Sequence, residues 1–193
     1  LRMHLYDHSG GIVTPCINID RDPDRFLHTF SCIVFGSLEC IGYDPTINPL
    51  LAPLPEPIGK IRVNHNYYNI LEVMFSSQGL VGHGTVCYLT RRGEEEYIIK
   101  DHWVLGSKED VLNEVIMLNE MKGVRGVPEL VEHWLVEIAP GEIDETEKYR
   151  YKILESIEGT FRTHIQLVLK PRARPLHMFR TKAELVSAIR DIV

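Results

Sequence analysis

Apolar and polar positions alternate along several short stretches of this chain and recur at helical spacing along three others. Residues 2–6 have strand composition, followed by the turn chemistry of Asp7-His8-Ser9-Gly10-Gly11 and a second strand over residues 12–19 that Pro15 interrupts. Phe26, Leu27, Phe30, Ile33 and Val34 mark one face of a helix within residues 24–38. Further along, residues 70–75 and 79–81 read as strand on either side of a serine turn. Residues 85–90 and 97–100 form a strand pair around a polar turn containing Gly93. Val111, Leu112, Val115, Leu118 and Met121 then repeat at helical spacing. Ser107 is placed as the N-cap of that helix with Asp110 three residues later, and Gly123 and Gly126-Val127-Pro128 end it. Residues 130–137 and 166–169 read as later strands, separated by an acidic, exposed loop around residues 140–148. Thr181 with Glu184 opens a last helix carrying Leu185, Val186, Ile189, Ile192 and Val193.

Proline adds a boundary to this pattern. Pro45, Pro49, Pro53, Pro55 and Pro57 remove amide donors and restrict their neighbours. The expected layout is a small mixed segment over residues 1–47, an extended linker over 48–66, and a sheet-rich section from residue 67. The fold class this implies is α+β.

Composition removes several function classes. The 193 residues are 44% hydrophobic, enough for a real core, and 25% charged, too few for a chain kept unfolded by its charge. An excess of 27 acidic over 21 basic residues argues against a nucleic-acid partner held by an overall basic surface. No apolar run approaches the ~20 residues of a membrane helix, so no membrane partner is expected. The four cysteines form no CxxC pair and the nine histidines show no ligand spacing, so neither a disulfide framework nor a metal site is read. The first residues lack the layout of a secretion signal, and the expected location is intracellular, in cytoplasm or nucleus.

Two features carry candidate chemistry. In Gly82-His83-Gly84-Thr85, between two strands, glycines let backbone amides approach phosphate oxygens, although the same string is ordinary hairpin chemistry. Lys100 closes the apolar strand Tyr97-Ile98-Ile99, where it is either a plain strand-end cation or a phosphate ligand held by an acid. Glu114 is the acid in question. At ~100° per residue it lies ~60° from Val111 and ~40° from Leu118, at the edge of the buried stripe, whereas Glu109 and Glu120 fall on the solvent side.

Together, Gly82-His83-Gly84-Thr85, Tyr97-Ile98-Ile99-Lys100 and Leu112-Asn113-Glu114-Val115 resemble the N-lobe of a protein kinase. One group is closer still, the fungal-type protein kinases. That resemblance rests on Leu5-Tyr6-Asp7-His8-Ser9-Gly10-Gly11, Ile41-Gly42-Tyr43-Asp44-Pro45, Gly79-Leu80-Val81-Gly82-His83-Gly84-Thr85 and Ile99-Lys100-Asp101-His102-Trp103. Gly123-Val124-Arg125-Gly126-Val127-Pro128 and Arg174-Pro175-Leu176-His177-Met178-Phe179 also carry it.

The resemblance implies a kinase-like N-lobe over residues 67–169, a twisted antiparallel sheet with one helix, preceded by the family's extension. Residues 170–193 would be the hinge and the start of a mostly helical C-lobe. It implies ATP and Mg2+ as cofactors. Gly82 and Gly84 would cover the ATP phosphates, Lys100 would contact the α- and β-phosphates, and Glu114 would pair with Lys100. Leu89 and Ile98 would roof the base, Leu169 would be the gatekeeper, and backbone groups from Lys170 to Arg172 would meet the adenine edge.

Cys87 replaces the family pattern's third glycine and Ile98 a usual alanine, and both narrow the expected site. Neither His-Arg-Asp nor Asp-Phe-Gly occurs, so no catalytic residue and no metal ligand is assigned. The expectation is a fragment or truncated product of a kinase whose full-length form phosphorylates protein Ser/Thr hydroxyls. Its protein substrate is unknown and its C-lobe is missing. The alternative is a non-catalytic truncated pseudokinase serving as an interaction or scaffold module. A third reading, an unrelated α+β binding domain, requires the Lys100–Glu114 relation to be chance, and finding the two side chains on opposite sides of the sheet would support it.

Overall fold

The computed structural model describes residues 1–50, 57–79, 81–106, 108–150, 161–173 and 178–192. Its centre is a curled antiparallel sheet of seven strands: β3 (Ile47–Pro49), β4 (Gly59–Val63), β5 (Asn66–Ser76), β6 (Val86–Arg92), β7 (Glu95–Leu105), β8 (Glu129–Leu135) and β11 (Arg162–Lys170). The spatial order is β3-β4-β5-β6-β7-β11-β8. Two small hairpins stand apart from it, β1 (His4–Asp7) with β2 (Gly10–Val13), and β9 (Glu137–Ala139) with β10 (Glu142–Ile143). Among the described residues the helices are α1 (Pro23–Phe35), α2 (Lys108–Val111), α3 (Asn113–Glu120) and α4 (Lys182–Ile192). Short 3₁₀ turns cover Leu38–Ile41 and Thr146–Arg150. The chain is thus a mixed α and β fold.

Register explains how this sheet separates two environments. Side chains opposite one another on paired strands share a face. Ile99 on β7 lies opposite Val168 on β11 and Tyr88 on β6, and the three pack with Ile61, Val63, Tyr68 and Ile70. The next residue, Lys100, lies opposite Leu167 and Cys87 and points to the other face. That face is covered by α2 and α3, whose Val111, Val115 and Leu118 pack on Ile165 and Leu167. Ile61, Val63, Ile99, Leu167 and Val168 are fully buried. One sheet therefore serves two cores, one on each face.

The second strand, expected over residues 12–19, ends at Val13 ahead of Pro15, and the structure departs from the expected layout in four further places. The linker expected over residues 48–66 contains most of β3 and all of β4, whose Ile61 and Val63 belong to the core. Proline is excluded from central strands but tolerated at an edge, and Pro49 sits on the edge strand β3. Pro53 and Pro55 lie outside the described residues. Gly79 and Val81 are not strand; Ser77 N–H instead donates across the loop to the Thr85 carbonyl at 2.8 Å. The helix expected as one piece is broken at Leu112, with φ −82° and ψ −5°, and its proposed cap Ser107 lies outside the described residues.

The fourth departure is the supposed exposed loop around residues 140–148. It forms the β9–β10 hairpin and the turn Thr146–Arg150, where Thr146 is fully buried and Arg150 nearly so. Thr146 Oγ1 accepts the Arg162 N–H at 2.8 Å, and Arg150 pairs with Asp7, so polar partners replace solvent.

Other expectations hold. Helix α1 starts with proline in its first turn and is stopped by Gly36, yet none of its residues is buried. Glu184 N–H donates to Thr181 Oγ1 at 3.1 Å at the start of α4.

Candidate functional site

Lys100 and Glu114 lie on the same side of the sheet. The alternation along β7 aims Lys100 at the helical face, and the first turn of α3 carries Glu114 toward it. Lys100 Nζ stands 2.7 and 2.8 Å from the two carboxylate oxygens. A third group joins them: His102, two residues along β7 on the same face, has Nε2 3.3 Å from Glu114 Oε2. Only 4% of its side chain is exposed. The hydrogen bond from His102 is the main reason the Glu114 carboxyl drops to about 2, against the opposing effect of burial and with help from the Lys100 ammonium. Glu114 is therefore a fixed anion bridging two cationic or donor groups. His102 Nδ1 is buried and has no protein partner among the described residues.

A cleft of about 430 Å³ opens beside this pair, lined among others by His83, Thr85, Lys100, His102, Asp110 and Glu114. It extends along β7 from Lys100 toward His102 and Val104. Leu89, Ile98 and Leu169 lie on the opposite side of Lys100. They face one another across β6, β7 and β11 in register, two residues along the strand from Lys100. Leu89 is buried, while Ile98 and Leu169 are half-buried. They form an apolar shelf on the same sheet face as the lysine, outside the cleft's lining. Arg172 is exposed, its guanidinium 3.9 Å from Glu72 and 4.0 Å from Glu96, and Lys170 is the last residue of β11.

The glycine loop is held in place. Gly82 N–H donates to the His8 carbonyl at 2.9 Å, and the Trp103 N–H donates to the His83 carbonyl at 2.7 Å. Both glycines have positive φ, +131° at Gly82 and +51° at Gly84, a region open to glycine at little cost.

On the opposite sheet face lies a buried polar network. His164 Nε2 is 2.5 Å from Asp101 Oδ1 and its Nδ1 is 3.1 Å from Asp144 Oδ2. Burial alone would push this imidazole toward neutrality, but the Asp101 charge and the two hydrogen bonds outweigh it and raise the group to about 10. Trp103 stacks on the His164 ring with centroids 4.5 Å apart and planes 10° from parallel, and His8 tilts against Trp103 at 5.2 Å. Asp44 is close by, and burial followed by the Asp101 charge raises its carboxyl. Asp44, Asp101 and His164 each present an atom within 4.8 Å of the others. With both ring nitrogens of His164 donating to carboxylates, neither has a lone pair for a cation, and the cluster works as an ion network.

The roles of His102, His8 and His164 were not evident from the sequence. For His102 the signal was available: it lies two residues beyond Lys100 and must share its face. For the other two it was not, because His8 meets the glycine loop and Trp103 far along the chain, and His164 pairs with Asp101 63 residues before it.

A strand lysine locked to a helix glutamate, beside a glycine turn and an open cleft, is an arrangement suited to holding an anionic ligand. Comparison of the sequence with known families then gives the class: the fungal protein kinase family matches over residues 1–161. The chain belongs to the fungal protein kinase family. No curated protein and no solved structure matches it. Among the described residues no helix is long and apolar enough to cross a membrane.

Proposed function

We propose that this chain is the nucleotide-binding part of a protein kinase whose complete form transfers phosphate from ATP to Ser/Thr hydroxyls of a protein. The observation that carries this reading is the Lys100–Glu114 pair, with the ammonium within 2.8 Å of both carboxylate oxygens. In that role Lys100 meets the α- and β-phosphates and Glu114, steadied by His102, keeps it aimed at them. The shelf of Leu89, Ile98 and Leu169 takes the base, and the backbone from Lys170 to Arg172 takes its edge. Gly82 and Gly84 belong to the loop over the phosphates.

The sheet from β4 to β11 with α2 and α3 is the N-lobe in this reading, residues 1–47 are the extension, and residues 170–193 are the hinge and the beginning of a C-lobe. Mg2+ would neutralise charge on the phosphates. No residue of this chain is assigned to hold it, and the groups proposed here bind and orient nucleotide without transferring phosphate. The cellular setting proposed is intracellular, cytoplasm or nucleus.

A scaffold role as a non-catalytic pseudokinase is the second reading. It draws support from the Gly82 amide, already engaged by the His8 carbonyl, and from Cys87 and Ile98, which narrow the site.

The test is titration of ATP, with and without Mg2+, against the wild-type chain and Lys100→Ala, read by ligand-observed NMR and by melting temperature. Loss of one charge-assisted contact predicts at least about tenfold weaker binding in the variant. Equal ATP responses from the two proteins, or none from either, would refute nucleotide binding through Lys100 and favour the scaffold.

A further inference from the structure

Residues 7–10, the turn of the β1–β2 hairpin, are anchored to two parts of the molecule at once. On one side Asp7 forms a buried ion pair with Arg150, at 2.5 and 3.0 Å, and Ser9 Oγ lies 2.8 Å from Thr146 Oγ1. On the other side His8 reaches the glycine loop. Its carbonyl accepts the Gly82 N–H, and its ring lies so close over Gly84 that a Cβ there would fall 2.1 Å from Cε1 and 2.4 Å from Nδ1. Real Cβ atoms do not approach other heavy atoms so closely, so one group would have to move. The His8 ring has little freedom to do so. It rests on Trp103, which is itself stacked on the buried His164, and its Nδ1 is shielded from solvent.

We propose that His8 is a positioning residue for the glycine loop and that the N-terminal hairpin acts as a clamp holding Gly82–Gly84 over the Lys100–Glu114 cleft. The absence of a side chain at position 84 is then required by the imidazole above it, independently of any phosphate. A loop fixed in advance loses less freedom when it closes on a ligand, so the clamp favours binding of a polyphosphate in the cleft. Only this last consequence rests on the nucleotide reading given above; the clamp itself does not.

Hydrogen exchange and a double-mutant cycle on the full chain test it. His8→Ala keeps the backbone carbonyl and removes only the ring. The expected result is exchange at least about tenfold faster across residues 81–85, with protection of the central strands β7 and β11 unchanged. Gly84→Ala is expected to lower the melting temperature through both its positive φ and the clash. Combining it with His8→Ala should recover part of that loss, because the clash disappears and the backbone strain remains. Should His8→Ala not fold, Asp7→Asn, which loosens the hairpin from Arg150 without touching the loop, is expected to speed exchange over the same residues. ATP affinity measured on His8→Ala is expected to fall several-fold.

Unchanged exchange in the loop, or strictly additive effects of the two substitutions, would overturn the clamp. Tighter ATP binding by His8→Ala would overturn the positioning role and make the hairpin an obstruction. If the wild-type chain binds no ATP, the nucleotide reading fails while the exchange and double-mutant results still decide the clamp.

Discussion

Replacing His164 should change how stability depends on alkaline pH. The ring is held protonated by Asp101 from β7 and Asp144 after β10, with Asp44 adding negative charge from before β3. Nearby, burial first and then the His164 and Arg162 charges lower the titration of His8, so the imidazole at position 164 has a neutral ring beside it rather than a second cation. The folded value of about 10 lies above the ordinary 6.5. A group raised on folding contributes its full stabilisation below its unfolded value and loses it as pH rises through the folded one. Each pH unit between those limits removes up to ~1.4 kcal/mol, so the wild-type chain should lose about 2–3 kcal/mol between pH 7 and pH 9. That is a large part of the ~5–15 kcal/mol by which domains are ordinarily stable. Urea unfolding at pH 7, 8 and 9, on wild type and His164→Gln, isolates the effect, because other titrating groups are common to both. NMR of the ring protons reads the titration directly. Asp101→Asn should lower the His164 titration and destabilise the chain by about 3 kcal/mol at pH 7, since it leaves a buried imidazolium with one carboxylate fewer. An imidazole titrating near 6.5 in the folded chain, or identical pH slopes in wild type and His164→Gln, would refute the reasoning.

Two further outcomes follow from the packing and from the candidate site. Ile99 is fully buried at the junction of Val168 and Tyr88, so Ile99→Ala should cost about 2–5 kcal/mol in urea unfolding, and a loss below ~1 kcal/mol would contradict its place in the core. Glu114, held near 2, contributes stability that is present above its ordinary value of about 4.5 and disappears as pH falls toward 2. Because its side chain is 39% exposed, solvent screening reduces this to about 1 kcal/mol. Glu114→Gln should flatten the acid limb of the stability curve by that amount, and His102→Phe should raise the carboxyl's titration in carbon-detected NMR.

Much of the site was legible because its logic is local. Lys100 and Glu114 are 14 positions apart, and strand and helix periodicity each indicate which way one of them points. The pattern of hydrophobic residues likewise marks β6, α1 and α4 to within a few positions, and catches the first half of β7 and the helical stretch that splits into α2 and α3. What periodicity did not reveal depends on distant partners. Ile61 and Val63 read as linker because prolines crowd the neighbouring positions, and only the pairing of β4 with β5 shows them to be core. Arg150 lies near a stretch that looks solvated, yet it is buried because Asp7, 143 residues earlier, neutralises it. The glycine loop shows the same limit in reverse: its phosphate-like pattern was visible, but the imidazole lying over Gly84 was not.

Strand β7 carries opposite requirements on consecutive residues. Lys100 and His102 face the helix and Glu114, while Asp101 and Trp103 face His164. A one-residue slip against β6 and β11 would exchange the two sets. Lys100 would then enter a site that already holds a buried imidazolium, and Asp101 would stand beside the Glu114 carboxylate. Both arrangements are repulsive, and each would lack the partner it needs. Charge therefore pins the register of β7 from both sides. A misaligned sheet is penalised electrostatically even where its apolar residues would tolerate the shift.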